Sequence, residues 1–135
     1  MKTLSFSIFL ICFGVYFPQD SKLAENYFLD ENFTAALSAY ELLVADKKDN
    51  IDCNFNLALC YLNTNGDKSR AIPFLEKLVR APKIIPDAWY FLGRAYHFGY
   101  QFDKAIGAYN KFIQIGKGNI LNRDNAPIQI EYCEN

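Results

Sequence analysis

The chain has 135 residues, of which 51% are hydrophobic and 21% are charged, and this composition excludes a disordered, collagen-like or low-complexity protein. Its formal net charge of −1 at pH 7 argues against a general nucleic-acid binder, which normally presents a basic surface. A single histidine argues against most metal sites and against every nucleophile mechanism that depends on histidine.

Residues 1–17 have the pattern of a secretory signal peptide. The first three residues carry one positive charge, and residues 4–17 are apolar apart from two serines. This apolar stretch is too short for a helix that crosses a bilayer, which needs about 20 residues. We expect cleavage after Gly14, with residues 17–18 as the alternative. The sequence therefore predicts a protein that is secreted across the inner membrane and is periplasmic or associated with the outer membrane.

The rest of the chain repeats with a period of 34 or 35 residues. The aligned copies share an aromatic column at Tyr27, Tyr61 and Tyr96, and small columns at Ala24, Ala58 and Gly93 and at Ala36, Ala71 and Ala105. Apolar residues recur at three- and four-residue steps within each copy, which indicates two helices per copy. A small residue beside a large ring lets two helices approach closely, so the pattern predicts one helix hairpin stacked on itself.

The periodicity predicts six helices and a partial seventh, over residues 20–30, 33–47, 51–63, 68–80, 87–98, 102–115 and 126–134. Asn32 and Asp67 occupy N-cap positions, where a side chain accepts from free backbone N–H groups. Pro86 fits the first turn of a helix, and residues 116–119 supply C-cap residues. The predicted fold is all-α, with units at about 18–50, 51–85 and 86–117 and a partial capping helix within 118–135.

The third copy resembles the tetratricopeptide repeat. The residues that match its diagnostic positions are Trp89, Leu92, Gly93, Tyr96, Ala105 and Tyr109. The first two copies are less regular, because Asp20 and Asn54 replace the tryptophan. The resemblance covers about residues 18–117 and implies helix-turn-helix repeats stacked as a right-handed α-solenoid, with about three repeats.

Three stretches resemble a narrower group, the N-terminal repeat region of secreted Bacteroidetes envelope proteins. They are Asn54-x-x-Leu57-Ala58-x-Cys60-Tyr61-Leu62-Asn63, Ala71-Ile72-Pro73-x-Leu75-Glu76-Lys77 and Ala95-Tyr96-His97 with Phe102-Asp103-Lys104-Ala105-Ile106. In that group a β-propeller and a peptidoglycan-binding OmpA-like domain usually follow, and some members serve gliding motility or type IX secretion. This chain stops at Asn135, so we expect either a truncated gene or a fragment, and cell-wall anchoring is not carried over.

The reactive side chains favour packing over catalysis. Cys53 and Cys60 lie seven residues apart on one predicted helix, a separation of about 10.5 Å, whereas a disulfide needs Cα atoms within about 7 Å. No Cys-x-x-Cys pair occurs, so neither a redox motif nor a zinc site is indicated. His97 has no second histidine and no nucleophile at a helical step from it. We therefore predict no enzyme, no cofactor and no metal ion.

In proteins that this chain resembles, the first helix of each repeat lines the concave face. The equivalent positions of this chain predict a partner-binding groove at Glu25, Phe28, Phe55, Leu59, Leu62, Tyr90, Arg94, His97 and Phe98. The groove type that grips the terminal carboxylate of a chaperone tail is excluded, because only Asn56 matches its cluster of Lys, Arg and Asn. We expect a protein or peptide partner, recognised by aromatic packing with Arg94 as the polar anchor. The alternative that some of these residues pack between helices stays open, above all for Leu59 and Leu62.

Together these observations predict a non-enzymatic protein–protein interaction or scaffold module of the bacterial periplasm or cell envelope. One alternative is a truncated fragment of a larger peptidoglycan-associated envelope protein that has no independent activity. Another is an enzyme or carrier with an unrecognised site in the groove. A catalyst needs convergent titratable groups, whereas the predicted groove positions are mainly aromatic and aliphatic.

Overall fold

The computed structural model describes residues 19–83 and 85–135, and the predicted signal peptide at residues 1–17 lies outside these ranges. The described residues form seven α-helices and one turn of 3₁₀ helix, and none of them lies in a β-strand. The helices are α1 (Gln19–Leu29), α2 (Phe33–Asp46), α3 (Ile51–Asn63), α4 (Ile72–Val79), α5 (Pro86–Phe98), α6 (Phe102–Ile115) and α7 (Ile120–Glu134), and the 3₁₀ turn covers Lys68–Ala71. The predicted all-α fold is confirmed.

Local capping chemistry places most helix boundaries close to the predicted positions. The side chain of Asn32 accepts a hydrogen bond from the backbone N–H of Ala35 at the start of α2. Asp67 accepts from the backbone N–H of Ser69 at 3.0 Å and so begins the 3₁₀ turn. Gly116 ends α6 in the left-handed conformation, with a φ of 65°, which glycine adopts without steric cost.

The helix predicted over residues 68–80 is divided at Pro73. Proline has no backbone N–H, so the carbonyl of Ser69 cannot receive the usual α-helical hydrogen bond from residue 73. That carbonyl accepts instead from the backbone N–H of Ile72, three residues further along. The segment therefore starts as a 3₁₀ turn and becomes the α-helix α4 at Ile72.

Neighbouring helices in the sequence are also neighbours in space. The pairs α1 with α2, α3 with α4, α5 with α6, and α6 with α7 are all in contact. Helix α5 also contacts α3 on one side and α7 on the other. Helices α3, α5 and α7 thus lie side by side, which is the arrangement expected of a solenoid.

The core depends on small residues that face large rings. Gly93 of α5 is buried against Tyr109 of α6, and a Cβ atom at Gly93 would lie only 2.6 Å from Cε1 of that ring. Tyr109 and Phe112 are completely buried, and Tyr90 packs on both with ring centres 5.7 and 5.6 Å away. The repeated small residue is therefore a point of close helix approach, as the sequence pattern predicts.

Two tyrosines link successive repeats through the same hydrogen bond. Tyr61 of α3 donates to the carboxylate of Glu41 on α2 at 2.6 Å, and Tyr96 of α5 donates in the same way to Glu76 on α4. Burial, together with the adjacent carboxylate, raises the pKa of each tyrosine to about 12. Both hydroxyl groups therefore stay protonated and remain donors at neutral pH.

A cation from the following helix covers each of these rings. The guanidinium of Arg70 lies 4.5 Å from the ring centre of Tyr61, and Nζ of Lys104 lies 5.4 Å from that of Tyr96. Arg70 also forms an ion pair with Glu41 at 3.3 Å. The carboxylate, the tyrosine and the cation together make one inter-repeat contact, and the described chain contains it twice.

Helix α7 begins earlier than the predicted partial helix, so the predicted start at residue 126 is wrong. Asn119 caps α7, because its side chain accepts from the backbone N–H of Leu121 at 2.9 Å. Pro127 therefore lies inside the helix rather than near its start. The proline removes one backbone hydrogen bond. The Asn119 cap and the hydrogen bonds from Asn119 and Asn122 to Asp87 offset this loss.

Asp87, in the first turn of α5, anchors the start of α7. Its carboxylate accepts from the backbone N–H of Asn119 at 2.9 Å and from the side-chain amide of Asn122 at 2.8 Å. Gly118 makes this approach possible, because its φ is 116° and a Cβ atom there would lie 2.7 Å from the ring of Phe112. A contact between residues more than thirty positions apart thus decides where α7 begins.

Substitution of Gly93 by alanine tests the close approach of α5 and α6. The added Cβ collides with the buried ring of Tyr109, so we expect the free energy of unfolding to fall by about 1–3 kcal/mol. Urea unfolding followed by circular dichroism measures this change. Gly107→Ala on α6 is the matched control: no atom lies within 4 Å of its Cβ position, so helix propensity should raise stability by up to about 1 kcal/mol. An unchanged or increased stability of Gly93→Ala would contradict the packing described here.

Substitution of Asp87 by alanine tests the anchor of α7. Loss of the hydrogen bonds to Asn119 and Asn122 should destabilise α7 by about 1–2 kcal/mol, which predicts roughly tenfold faster hydrogen exchange of its amides. Asp52→Ala is the control, since Asp52 occupies the first turn of α3 without a hydrogen-bond partner among the described residues. Equal exchange of the α7 amides in both variants would show that the anchor has no energetic role.

Candidate functional site

Two of the nine predicted groove residues belong to the core, which corrects the prediction for them. Leu62 is 1% exposed and Tyr90 is 6% exposed. Tyr90 lies on the side of α5 that faces α6, where its ring fills the space beside Tyr109 and Phe112. Neither side chain offers a partner a significant surface.

The predicted residues on α1 lie apart from the others. Phe28 is half-buried, and its ring packs edge-on against Phe33 and Tyr40, with ring centres 5.6 and 6.2 Å away. Its contacts therefore join α1 to α2. Glu25 is exposed on the preceding turn of α1. Asn56, the one residue that matches the chaperone-tail cluster, donates its side-chain amide to the hydroxyl of Tyr40 at 2.9 Å.

Aromatic side chains from α3 and α5 form a continuous strip with one arginine. Phe55 of α3 contacts Phe91 of α5 edge-on, with ring centres 5.8 Å apart. The guanidinium of Arg94 lies 5.9 Å from the ring centre of Phe91 and 5.8 Å from that of Phe98. We call these four residues, Phe55, Phe91, Arg94 and Phe98, the aromatic strip. Leu59 lies half-buried one turn after Phe55 on the same helix.

Arg94 is unusual among the charged residues of this region. It is half-buried, yet its guanidinium forms no hydrogen bond or ion pair with any residue in the described ranges, and it lies over the rings of Phe91 and Phe98. Lys68, the other cation near Phe98, is engaged differently, because its ammonium donates to the carbonyls of Leu62 and Thr64 at 2.7 Å each. Arg94 is thus the residue of this strip with donors left for a partner.

A cavity of about 280 Å³ adjoins the strip at the C-terminal end of α5. Its lining comes from α5, the α5–α6 turn, α6 and α7, and consists of Arg94, His97, Phe98, Tyr100, Phe102, Tyr109 and Gln129. Three of the predicted groove residues therefore share one cavity. A second depression of about 520 Å³ is formed by α2, α3 and α4 and includes none of the nine predicted residues.

Sequence reasoning missed Phe91 and Gln129. The part that Phe91 plays in the strip shows only once α3 lies beside α5. Gln129 reaches the cavity because α7 packs on α5 and α6. No local pattern signals either placement, since both depend on contacts between separate helices.

The cysteines have the packing role that the sequence predicts. Cys53, Cys60 and Cys133 are free thiols, and burial raises the pKa of Cys60 to about 12, which keeps it protonated and unreactive. Within residues 19–83 and 85–135, no three His, Cys, Asp or Glu side chains come together as a metal site would require. None of the helices in these ranges has the length and apolar character needed to span a membrane.

Comparison with known families identifies the repeated unit. Residues 52–83 and residues 86–115 each match a family model described as a tetratricopeptide repeat. No curated protein matches the chain. The two matched segments contain the helix pairs α3–α4 and α5–α6, which carry the aromatic strip and, apart from Glu41 of α2, the inter-repeat contacts. These two segments are similar to tetratricopeptide repeats, and the described part of the chain has the all-α architecture that such repeats build.

Proposed function

We propose that this protein is a non-enzymatic interaction module that binds a peptide or protein segment along the aromatic strip. The observation that carries the proposal is the combination of Phe55, Phe91 and Phe98 with an arginine that has no polar partner in the described chain. Aromatic residues and arginine supply most of the binding energy at protein interfaces. The similarity of residues 52–83 and 86–115 to tetratricopeptide repeats also suggests a protein partner.

Exposed apolar surface at the end of the strip supports the same proposal. Phe98, Tyr100 and Phe102 are 46%, 83% and 38% exposed, and they lie together around the α5–α6 turn. Contiguous exposed aromatic surface of this kind marks interaction sites more often than scattered single residues do. A peptide that follows α3 and α5 would cover this surface and reach Arg94 on the way.

We further propose that the module acts in the bacterial periplasm or at the outer membrane. The apolar pattern of residues 1–17 and the resemblance to the repeat region of Bacteroidetes envelope proteins support this location. Gliding motility and type IX secretion are the processes that some of those proteins serve, and we propose them as the setting of an envelope complex. N-terminal sequencing of the protein from envelope fractions should find a start within residues 15–19, whereas Met1 in a cytosolic fraction would contradict export.

Binding along the strip is tested with Leu59→Asp, which puts a charge next to Phe55. Peptides selected from a random library by the full chain should bind the Leu59→Asp variant about tenfold more weakly or worse, because apolar burial is lost. Fluorescence anisotropy measures the dissociation constants. Leu42→Asp is the matched control, since Leu42 is 75% exposed on α2. If both variants bind the peptides like the parent protein, and both remain folded by circular dichroism, the strip is not the binding surface.

A further inference from the structure

The cavity beside the aromatic strip contains a buried hydroxyl group without a partner. Tyr109 is completely buried and lines this cavity. Among the described residues, its hydroxyl is the one buried side-chain nitrogen or oxygen that makes no hydrogen bond. Burial raises the pKa of Tyr109, so the group stays protonated and remains a donor. Buried polar groups nearly always find a partner, so this hydroxyl calls for an explanation.

Arg94 lines the same cavity and has unused donors as well. Its guanidinium carries five N–H groups in a planar fork, and none of them bonds to a described residue. Gln129 of α7 adds a side-chain amide to the lining. Arg94, Tyr109 and Gln129 therefore line one space, and no Asp or Glu is among the described residues that line it.

The remaining lining is largely aromatic. Phe98, Tyr100 and Phe102 border the cavity, and the ring of His97 packs against that of Phe102 with centres 5.7 Å apart. The planar guanidinium also matches a carboxylate, which can accept two parallel N–H bonds.

We propose that this cavity binds the carboxylate of an acidic peptide residue, which pairs with Arg94 and accepts a hydrogen bond from Tyr109. The proposal rests on the proposed function, because the peptide along the aromatic strip brings the carboxylate to the cavity. The carboxylate belongs either to an Asp or Glu side chain or to the C-terminus of the peptide. The site differs from the chaperone-tail cluster in position, since Asn56, the one residue that matches that cluster, donates to Tyr40 and does not line this cavity.

Four short peptides test whether the protein recognises the carboxylate of a peptide rather than the rest of the peptide. The first is acetyl-Ala-Phe-Glu-Ala-amide, and the second carries Gln in place of Glu. The third is acetyl-Ala-Phe-Ala-Ala with a free C-terminus, and the fourth is its C-terminal amide. Each peptide is titrated into the full chain while the side-chain N–H signals of arginine are followed by nuclear magnetic resonance.

The proposal predicts that one of the two carboxylate peptides binds at least about tenfold more tightly than its uncharged counterpart. Preference for the Glu peptide identifies a side-chain ligand, and preference for the free C-terminus identifies a terminal one. Arg94→Gln should remove the preference, and Arg123→Gln, on the exposed surface of α7, should leave it unchanged. Absence of any carboxylate preference at peptide concentrations up to about 10 mM would overturn the proposal.

Tyr109→Phe separates a ligand-binding role of the hydroxyl from a structural one. The substitution removes a buried group that has no partner, so the melting temperature should stay the same or rise. Binding of the preferred carboxylate peptide should nevertheless weaken several-fold. Unchanged binding by this variant would overturn the role of Tyr109. The Tyr109→Phe measurement remains informative even if Arg94→Gln does not fold. If library-selected peptides bind and Leu59→Asp weakens them, but no peptide shows a carboxylate preference, the proposed function stands and this inference fails.

Discussion

The contact between Gly93 and Tyr109 determines how the last full repeat is built. Because Gly93 has no side chain, the ring of Tyr109 lies directly against the backbone of α5. Tyr90 packs on both Tyr109 and Phe112 and is only 6% exposed. Tyr109 also lines the cavity at the C-terminal end of α5. One missing methyl group thus shapes both the core and the candidate site.

The inter-repeat contact explains why the polar pattern repeats along with the apolar one. A tyrosine of one repeat reaches a glutamate of the repeat before it, and the following helix covers the tyrosine ring with a cation. The glutamate is partly exposed, so the charge stays hydrated while the hydroxyl is buried. A hydrogen bond has a preferred direction, so this contact constrains the orientation of neighbouring hairpins in addition to burying surface.

Local sequence patterns predicted those features that depend on residues close together in the chain. The caps Asn32 and Asp67, the glycine that ends α6 and the period of the hairpins all follow from such patterns. The start of α7 was missed, because Asn119 was expected to end the preceding unit, whereas it caps α7 and bonds to Asp87 of α5. Helical periodicity also assigned Leu62 and Tyr90 to a face without showing that other helices cover that face. Phe55, Arg94 and Phe98 of the candidate site are among the groove positions predicted from the sequence, whereas placing Phe91 and Gln129 needed the packed helices.

The position of Gln129 links the candidate site to the stability of the last helix. Helix α7 has a single fully buried residue, Ala126, and is held at its start by Asp87. Any ligand that bonds to Gln129 binds the docked form of α7 better than the detached form, and it must stabilise docking by the same free energy that docking adds to binding. The order of the C-terminal helix would therefore act as an internal reporter of occupancy, because hydrogen exchange in α7 would slow as the cavity fills.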